Sequence, residues 1–315
     1  MSPSARHAQT LRQRGTFGGL LVLCLGLWAA TPHFLTVSNL LNVMEQTALN
    51  AIVAVGMTYV IISGGIDLSV GSVLAFSGIA LGRALEAGVP VPLALLIALG
   101  VGLACGLANG ALVTFGRLPP FIATLGMMSA ARGAALLLAD GRPISGFGEG
   151  FRALATERIL MVPAPVLIAA LVYLVAHFVL TRTIFGRATY ASGGNEEAAR
   201  LSGVQVRFHK TLVYGVAGLT SGIAAVILTA RLNSAQPTAG TMYELDAIAA
   251  TVIGGSSLLG GEGSLVGTLI GALIMGVLRN GLNLLNVSSF LQQVVIGLVI
   301  IGAVLVDLSL KRRRR

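Results

Sequence analysis

The chain of 315 residues is 55% hydrophobic and only 10% charged, with a mean hydropathy of +0.87. Because a soluble domain carries roughly 25% charged residues, this composition excludes a soluble globular protein and predicts an all-α polytopic membrane protein. The net charge of +9 lies in short segments between apolar runs and at both ends. That distribution argues against nucleic-acid binding and is typical of the basic residues that orient membrane proteins.

Apolar runs long enough to cross a bilayer, about 20 residues each, follow one another along the chain. The first follows a basic segment but lacks a clear cleavage site, so we interpret it as a retained helix rather than a removed signal peptide. The eighth run is short and flanked by glycine, and we expect it to be broken or partly re-entrant. About ten transmembrane helices are predicted, at 17–34, 43–62, 68–85, 91–115, 119–138, 163–180, 211–230, 245–259, 264–285 and 290–307.

The charges between the spans indicate an orientation. With both termini in the cytoplasm, the inner segments contain fourteen lysines and arginines and the outer segments five. This excess agrees with the positive-inside rule, which places basic loops in the cytoplasm. The long loop 139–162 is then outside, whereas the inner loop 181–210 and the basic tail 308–315 are cytoplasmic.

The two halves of the chain resemble each other. Aligning "IDLSVGSVLAFSG" with "LDAIAATVIGGSS" matches Asp67 with Asp246, and a later match joins Asn109 to Asn280. Because each half has five spans, the second half would be inserted upside down, and inverted repeats of transporters place the pathway at their interface. The sequence therefore predicts one transmembrane domain over 1–315, made of two inverted five-helix repeats at about 17–138 and 163–307.

Polar residues and paired glycines interrupt the apolar runs near this interface. Asp67 and Asp246 each precede an apolar run, so each is interpreted as an N-cap whose carboxylate accepts from orphan N–H groups. A compatible alternative is a polar break that lines a substrate cavity or gate, with the glycine pairs as hinges. The pathway or gate candidates are Gly64, Gly65, Asp67, Ser69, Ser72, Asp246, Thr251, Gly254, Gly255 and Ser256.

The outer segment 231–247 is rich in hydroxyl and amide groups. Such groups suit a polyhydroxylated ligand or a docking protein, although an ordinary solvated loop has the same composition. The candidates on the side of an external binding protein are Asn233, Gln236, Thr238, Tyr243 and Glu244.

The inner loop contains a predicted short helix. The two glycines at 193 and 194 indicate a turn, Asn195 a helix start and Gly203 a helix stop. A short exposed helix between two spans can dock in a groove of a cytosolic partner, although an inert surface helix gives the same pattern. The candidate residues are Gly193, Gly194, Asn195, Glu196, Glu197, Ala198, Arg200, Leu201, Ser202 and Gly203.

Enzyme motifs are missing from the sequence, which contains no G-x-x-x-x-G-K-[ST], no H-E-x-x-H, no G-x-S-x-G and no metal-ligand spacing. A membrane enzyme is therefore disfavoured. An ion-coupled secondary carrier would need ionisable groups within the spans, where acids are nearly absent. A structural or signalling membrane subunit stays open on patterning alone.

Five stretches of the chain, "GGIDLSVGS", "PPFIATLGMMSAARG", "GGNEEAARLSGV", "SAQPTAGTMYELDAIAATVIGGSSLLGGEGSLVGTLIGAL" and "NGLNLLNVSSF", together resemble the permease subunits of bacterial ABC importers for ribose and related monosaccharides. Their family is the branched-chain amino acid and sugar permease family. The resemblance covers about 37–307 and is closest to the ribose type, with Met242 standing where the family pattern leads us to expect glycine.

The resemblance implies a homodimer in the bacterial inner membrane that translocates a monosaccharide by alternating access. It implies a cytosolic sugar-type ATPase that binds ATP and Mg, docked on a coupling helix within 186–203, so that no cofactor is expected in this chain itself. It further implies an extracytoplasmic sugar-binding protein that meets the outer segments. Permeases of the same family for another sugar, a small polyol or an autoinducer-like ligand are the alternatives.

Overall fold

Most of the structure is helical. It is a computed structural model that describes the backbone of residues 3–159 and 161–312 and the side chains of 15–159, 161–302, 304 and 305. Residues 313–315 of the predicted basic tail lie outside the described residues, as do the side chains of Arg6, Arg12 and Arg14. The helices are α1 Pro3–Ala30, α2 Val37–Ile62, α3 Val70–Glu86, α4 Val91–Thr114, α5 Pro120–Leu138, α6 Glu149–Thr156, α7 Ala164–Arg182, α8 Ile184–Gly194, α9 Glu196–Leu201, α10 Val206–Leu232, α11 Tyr243–Ile253, α12 Leu265–Leu284 and α13 Ser289–Arg312. The strands are β1 Ile144–Ser145, β2 Arg158–Ile159, β3 Val162–Pro163 and β4 Ser234–Ala235.

Each of the ten predicted spans overlaps one helix. Among the described residues, six of these helices are long and apolar enough to cross a membrane, namely α2, α4, α5, α7, α10 and α12, and α1 and α13 contain the shorter apolar segments Gly15–Ala30 and Ser289–Gly302. Helix α3 has 17 residues, and α11 has 11 and ends at Ile253, which agrees with the expectation of a broken eighth span. The mostly helical membrane fold is confirmed, whereas ten complete crossings stay a prediction.

The helix starts are suited to an environment without water. The first N–H groups of a helix have no intrahelical partner, and in lipid they find no solvent. Pro92, Pro120 and Pro165 lie in first turns, where a missing N–H loses no hydrogen bond. Elsewhere side chains cap the helix, because Thr36 Oγ1 accepts from the N–H of Asn39 at 3.3 Å and Ser264 Oγ accepts from that of Gly267 at 3.0 Å.

Two helices, α2 and α10, form the centre of the molecule. Helix α2 contacts α7, α8, α10, α11 and α12, and α10 contacts α2, α3, α4, α6 and α8. The largest hydrophobic cluster surrounds them and includes the fully buried rings of Tyr59 and Tyr214. Helices α4, α5 and α7 form an outer layer and expose large apolar side chains such as Leu96, Phe121 and Leu174.

Helices α4 and α10 cross at backbone contact. A Cβ atom added at Gly102 would lie 3.1 Å from the backbone nitrogen of Gly222 and overlap the carbonyl oxygen of Gly218. One turn further along, a Cβ at Gly106 would overlap the carbonyl oxygen of Tyr214. Glycine is therefore required at this crossing for the close approach of the two backbones, as is common between helices in lipid.

The outer loops are joined by short strands. Strand β1 pairs antiparallel with β4, with Ile144 opposite Ala235, and β2 pairs antiparallel with β3, with Arg158 opposite Pro163. The β1–β4 pair connects the long loop 139–162 to the outer segment 231–247. Two-residue strands have no alternating pattern for the sequence to reveal, so neither pair was predicted.

Candidate functional site

The predicted helix of the inner loop is α9. Asn195 Oδ1 accepts from the N–H of Ala198 at 2.9 Å, which makes Asn195 its N-cap, and Gly203 follows the helix with a φ of +88°. Gly193 and Gly194 form the last turn of α8 instead, so the prediction of a turn at these glycines is wrong. Asn195 alone separates the two helices, because its cap starts a new helix at once.

Helix α9 presents a mixed surface to its surroundings. Leu201 is 75% exposed, and beside it Arg200 forms an ion pair with Glu197 at 2.6 Å. The hydrogen bond and the charge of Arg200 lower the pKa of the Glu197 carboxyl, which therefore stays ionised at neutral pH. Lys210 of α10 reaches back to Glu196 at 2.5 Å and ties the helix to the membrane domain.

A glycine junction connects the inner loop to two other loops. The carbonyl oxygen of Ile62, at the end of α2, accepts from the N–H of Gly261 at 2.8 Å. A Cβ atom at Gly193 would overlap that carbonyl and lie 2.8 Å from the nitrogen of Gly261, while a Cβ at Gly260 would lie 2.9 Å from the Cα of Gly64. The structure thus brings together the base of the predicted coupling helix, the predicted hinge at Gly64 and the loop between α11 and α12.

Asp67 is the centre of a first polar cluster. It is 1% exposed, and its Oδ1 accepts from the backbone N–H of Ser69 at 2.9 Å and from the Ser69 hydroxyl at 2.6 Å. Asn109 of α4 donates to Ser69 Oγ at 2.8 Å and to Asp67 Oδ1 at 3.4 Å. Because α3 begins at Val70 with Ser69 as its N-cap, the prediction that Asp67 caps this helix is wrong. Asp67 closes the turn before the helix and joins it to α4.

Asp246 is the centre of a second polar cluster. It lies inside the first turn of α11, whose N-cap is Met242, so the N-cap prediction is wrong for Asp246 as well. The Arg279 guanidinium of α12 donates to both of its carboxylate oxygens at 2.7 Å, and Asn50 of α2 donates to Oδ2 at 3.4 Å. Asp246 therefore binds the charged side chain of Arg279 instead of the free N–H groups that an N-cap residue would bind.

The other pathway candidates are buried beside these clusters. The Thr251 hydroxyl donates to the carbonyl of Ala247 at 2.7 Å and lies 3.5 Å from that of Thr58, which joins α11 to α2. Ser72 is buried in the first turn of α3. Among the described residues, the buried Ser256 Oγ has no hydrogen-bond partner, and it follows a positive φ of +90° at Gly255. The ten candidates therefore belong to several places and do not form one site.

The outer segment is held in place by side chains that face inward. Arg132 of α5 donates to the carbonyl oxygens of Pro237 and Ala239 at 2.6 and 2.8 Å. Asn233, in the left-handed region with a φ of 49°, accepts from the N–H of Phe147 through Oδ1 at 3.0 Å. Thr238 is exposed on this segment.

Three further candidates of this segment are partly buried, namely Gln236, Tyr243 and Glu244.

Sequence reasoning missed the side chains that bind the two aspartates, Asp67 and Asp246. No role was predicted for Arg279 or Asn50, and Asn109 was predicted only to match Asn280 in the repeat. The signal for Arg279 was present, because a cation inside a membrane span is expected to have an acidic partner. The asparagines gave no such signal, since only the packing of α2 and α4 brings them to the acids.

Comparison with known proteins shows which family the chain belongs to. Residues 39–304 match the family described as branched-chain amino acid transport system / permease component. The chain belongs to this family. Its prediction as a transport component rather than an enzyme is thereby confirmed.

The relatives of the chain include several sugar permeases. The chain is 49% identical to the ribose import permease protein of Bacillus subtilis (strain 168) over 299 residues, covering 94% of this chain and 93% of that protein. It is 50% identical to the ribose import permease protein of Escherichia coli (strain K12) over 301 residues, covering 94% of each. The D-allose transport system permease protein of the same strain is 39% identical over 93% of this chain and 90% of its own length. No solved structure matches the chain.

Proposed function

We propose that this chain is the membrane-spanning permease subunit of an ABC importer, which translocates a monosaccharide across the bacterial inner membrane by alternating access. The glycine junction carries the proposal. Gly193 lies on the last turn of α8, which Asn195 alone separates from α9, and it packs directly against Ile62 and Gly261. A movement of α9 is therefore transmitted through α8 to the loops after α2 and before α12. An ATPase that moves α9 would thereby move the cytoplasmic ends of both helices.

The partners follow from the surfaces. A cytosolic sugar-type ATPase would bind ATP and Mg and receive α9 in a groove, with Leu201 as the apolar contact. An extracytoplasmic sugar-binding protein would meet the outer segment near the exposed Thr238. A second copy of the chain would complete the transporter in the bilayer.

The membrane topology would be ten crossings with both termini in the cytoplasm, arranged as two inverted repeats. The packing of the helices supports this arrangement. Helices α3 and α4 contact α10 of the other half, and α11 and α12 contact α2 in the same manner. In each half, a buried aspartate before or within one short helix accepts from the next long helix, through Asn109 on α4 and Arg279 on α12.

Ribose is the sugar that the relatives favour. The chain is 49–50% identical to two ribose import permeases, 39% identical to a D-allose permease and 35% identical to a xylose permease. The ranking supports a ribose-type substrate over a hexose or xylose.

Reconstitution tests the proposal. The purified chain, its ATPase and its sugar-binding protein are placed in proteoliposomes, and uptake of labelled D-ribose is measured with ATP, without ATP and with an ion gradient alone. We expect accumulation with ATP and the binding protein only. Accumulation by the chain alone under a proton or sodium gradient would identify an ion-coupled carrier and overturn the proposal.

A further inference from the structure

A cluster of one buried and two partly exposed polar side chains joins three helices near the centre of the molecule. We define the amide–ion-pair cluster as Asn50 of α2, Asp246 of α11 and Arg279 of α12. Asp246 is 2% exposed and accepts from Arg279 through both oxygens at 2.7 Å, while Asn50 donates to it at 3.4 Å. Ionisable groups inside a span are rare and commonly mark the path of a transported substrate.

Two atoms of the cluster are left without partners. Among the side chains that the structure describes, Asn50 Oδ1 and Arg279 Nε are buried and make no hydrogen bond. One is an acceptor and the other a donor, and leaving either of them dry and unpaired is unfavourable. A hydroxyl group both donates and accepts, so a molecule with adjacent hydroxyls satisfies both atoms at once.

The charges of the cluster select a neutral ligand. The charges of Asp246 and Arg279 cancel each other. Towards the outside, Glu45 lies 3.9 Å from Arg231, and the charges of this pair cancel as well. An anion or a cation would have to break an existing ion pair, whereas an uncharged polar molecule adds hydrogen bonds without disturbing one.

The position of the cluster suits a transport pathway. Asn50 lies about midway along the 26 residues of α2, roughly 20 Å from its first residue at the rise of an α-helix. Helix α2 belongs to the first half of the chain, and α11 and α12 belong to the second. Secondary transporters built from two repeats bind their substrates near the bilayer midplane, between the repeats.

We propose that the amide–ion-pair cluster is a monosaccharide-contact site, in which Asn50 Oδ1 and Arg279 Nε hydrogen-bond sugar hydroxyls during translocation. The proposal rests on the function proposed above and deepens it. Asp246 holds the guanidinium in place, and Asn50 is the residue that can be changed without breaking the ion pair.

Asn50→Leu tests the site, with Asn39→Leu as the matched control. Asn39 lies on the same helix and makes a buried amide pair with Asn280 of α12, at 3.0 and 2.8 Å, so its loss also weakens the contact between α2 and α12. Saturation-transfer NMR with D-ribose is recorded on each purified variant in lipid nanodiscs, without the ATPase. Uptake of D-ribose is measured in the complete reconstituted importer.

We expect Asn50→Leu to reduce the saturation-transfer signal and the uptake rate by about three- to tenfold, the effect of one lost hydrogen bond, while ATP hydrolysis stimulated by the binding protein is retained. Asn39→Leu should retain the saturation-transfer signal when it is divided by the amount of folded protein. If Asn50→Leu fails to fold, Asn50→Ala removes the same acceptor with a smaller side chain, leaves the ion pair in place and should lower the signal likewise.

Three results would overturn the site. These are an unchanged signal in the Asn50 variants, an equal loss in Asn39→Leu, or an unaltered uptake rate in Asn50→Leu. Failure of the proposed function looks different, because then the wild-type importer accumulates no D-ribose with ATP, whatever the NMR signal shows.

Discussion

Gly193 and Gly194 are neighbours on the last turn of α8, and alanine at these two positions should have opposite effects. A Cβ at Gly194 meets nothing within 4 Å, whereas a Cβ at Gly193 overlaps the carbonyl oxygen of Ile62 and lies 2.8 Å from the nitrogen of Gly261. The pair is therefore a matched test of the glycine junction, since both substitutions add one methyl group to the same helix.

The magnitudes follow from three terms. Alanine in place of glycine in a helix gains about 0.5–1 kcal/mol, which is the whole effect expected for Gly194→Ala. At Gly193 the added methyl overpacks the junction at a cost of about 1–3 kcal/mol. Displacing Ile62 also weakens its 2.8 Å hydrogen bond with Gly261, a loss of about 0.5–1.5 kcal/mol. The helix gain is common to both variants, so they should differ by about 1.5–4.5 kcal/mol, the sum of the other two terms.

The assay combines stability with transport. Thermal unfolding of each purified variant gives Tm, and reconstituted importer gives ATP-driven D-ribose uptake together with ATP hydrolysis. We expect Gly194→Ala to raise Tm and keep uptake, and Gly193→Ala to lower Tm and the amount of sugar moved per ATP hydrolysed. Equal Tm values and equal uptake in the two variants would refute the junction as a mechanical connection.

Three further predictions test other parts of the chain. Met242→Gly should raise stability by about 1 kcal/mol, because Met242 is 37% exposed and has a φ of 71°, which glycine adopts without strain; no rise in Tm would contradict this. Leu201→Asp should abolish ATP-driven uptake while leaving Tm unchanged, since this 75% exposed side chain makes the proposed ATPase contact, and wild-type uptake at equal expression would refute it. Arg279→Leu should destabilise the protein by about 3–5 kcal/mol by leaving Asp246 buried without its partner, and Arg279→Leu combined with Asp246→Leu should recover part of that loss, as measured by Tm.

The positions of the helices could be predicted from the sequence because membrane spans are long and uniformly apolar. The predicted span 91–115 became α4, which ends one residue earlier at Thr114, and the helix after Asn195 was predicted from its cap and its stop. Both features depend on residues that are close together in the chain.

The roles of the two aspartates could not be predicted in the same way. An N-cap prediction requires the first residue of the helix, and α11 begins at Tyr243, four residues earlier than a cap at Asp246 requires. The partners of the aspartates, Arg279 and Asn109, are distant in sequence and are brought near only by helix packing. The sequence located the acids, and the packing decided what they bind.

The glycine crossing of α4 and α10 has a consequence for how the protein can move. Side chains at a helix interface can change rotamer and let two helices slide, but Gly102 and Gly218 meet through backbone atoms that have no such freedom. Because α4 belongs to the first half of the chain and α10 to the second, this backbone contact holds the two halves in a fixed position relative to each other. An alternation between an inward and an outward opening would then have to come from elements away from this crossing.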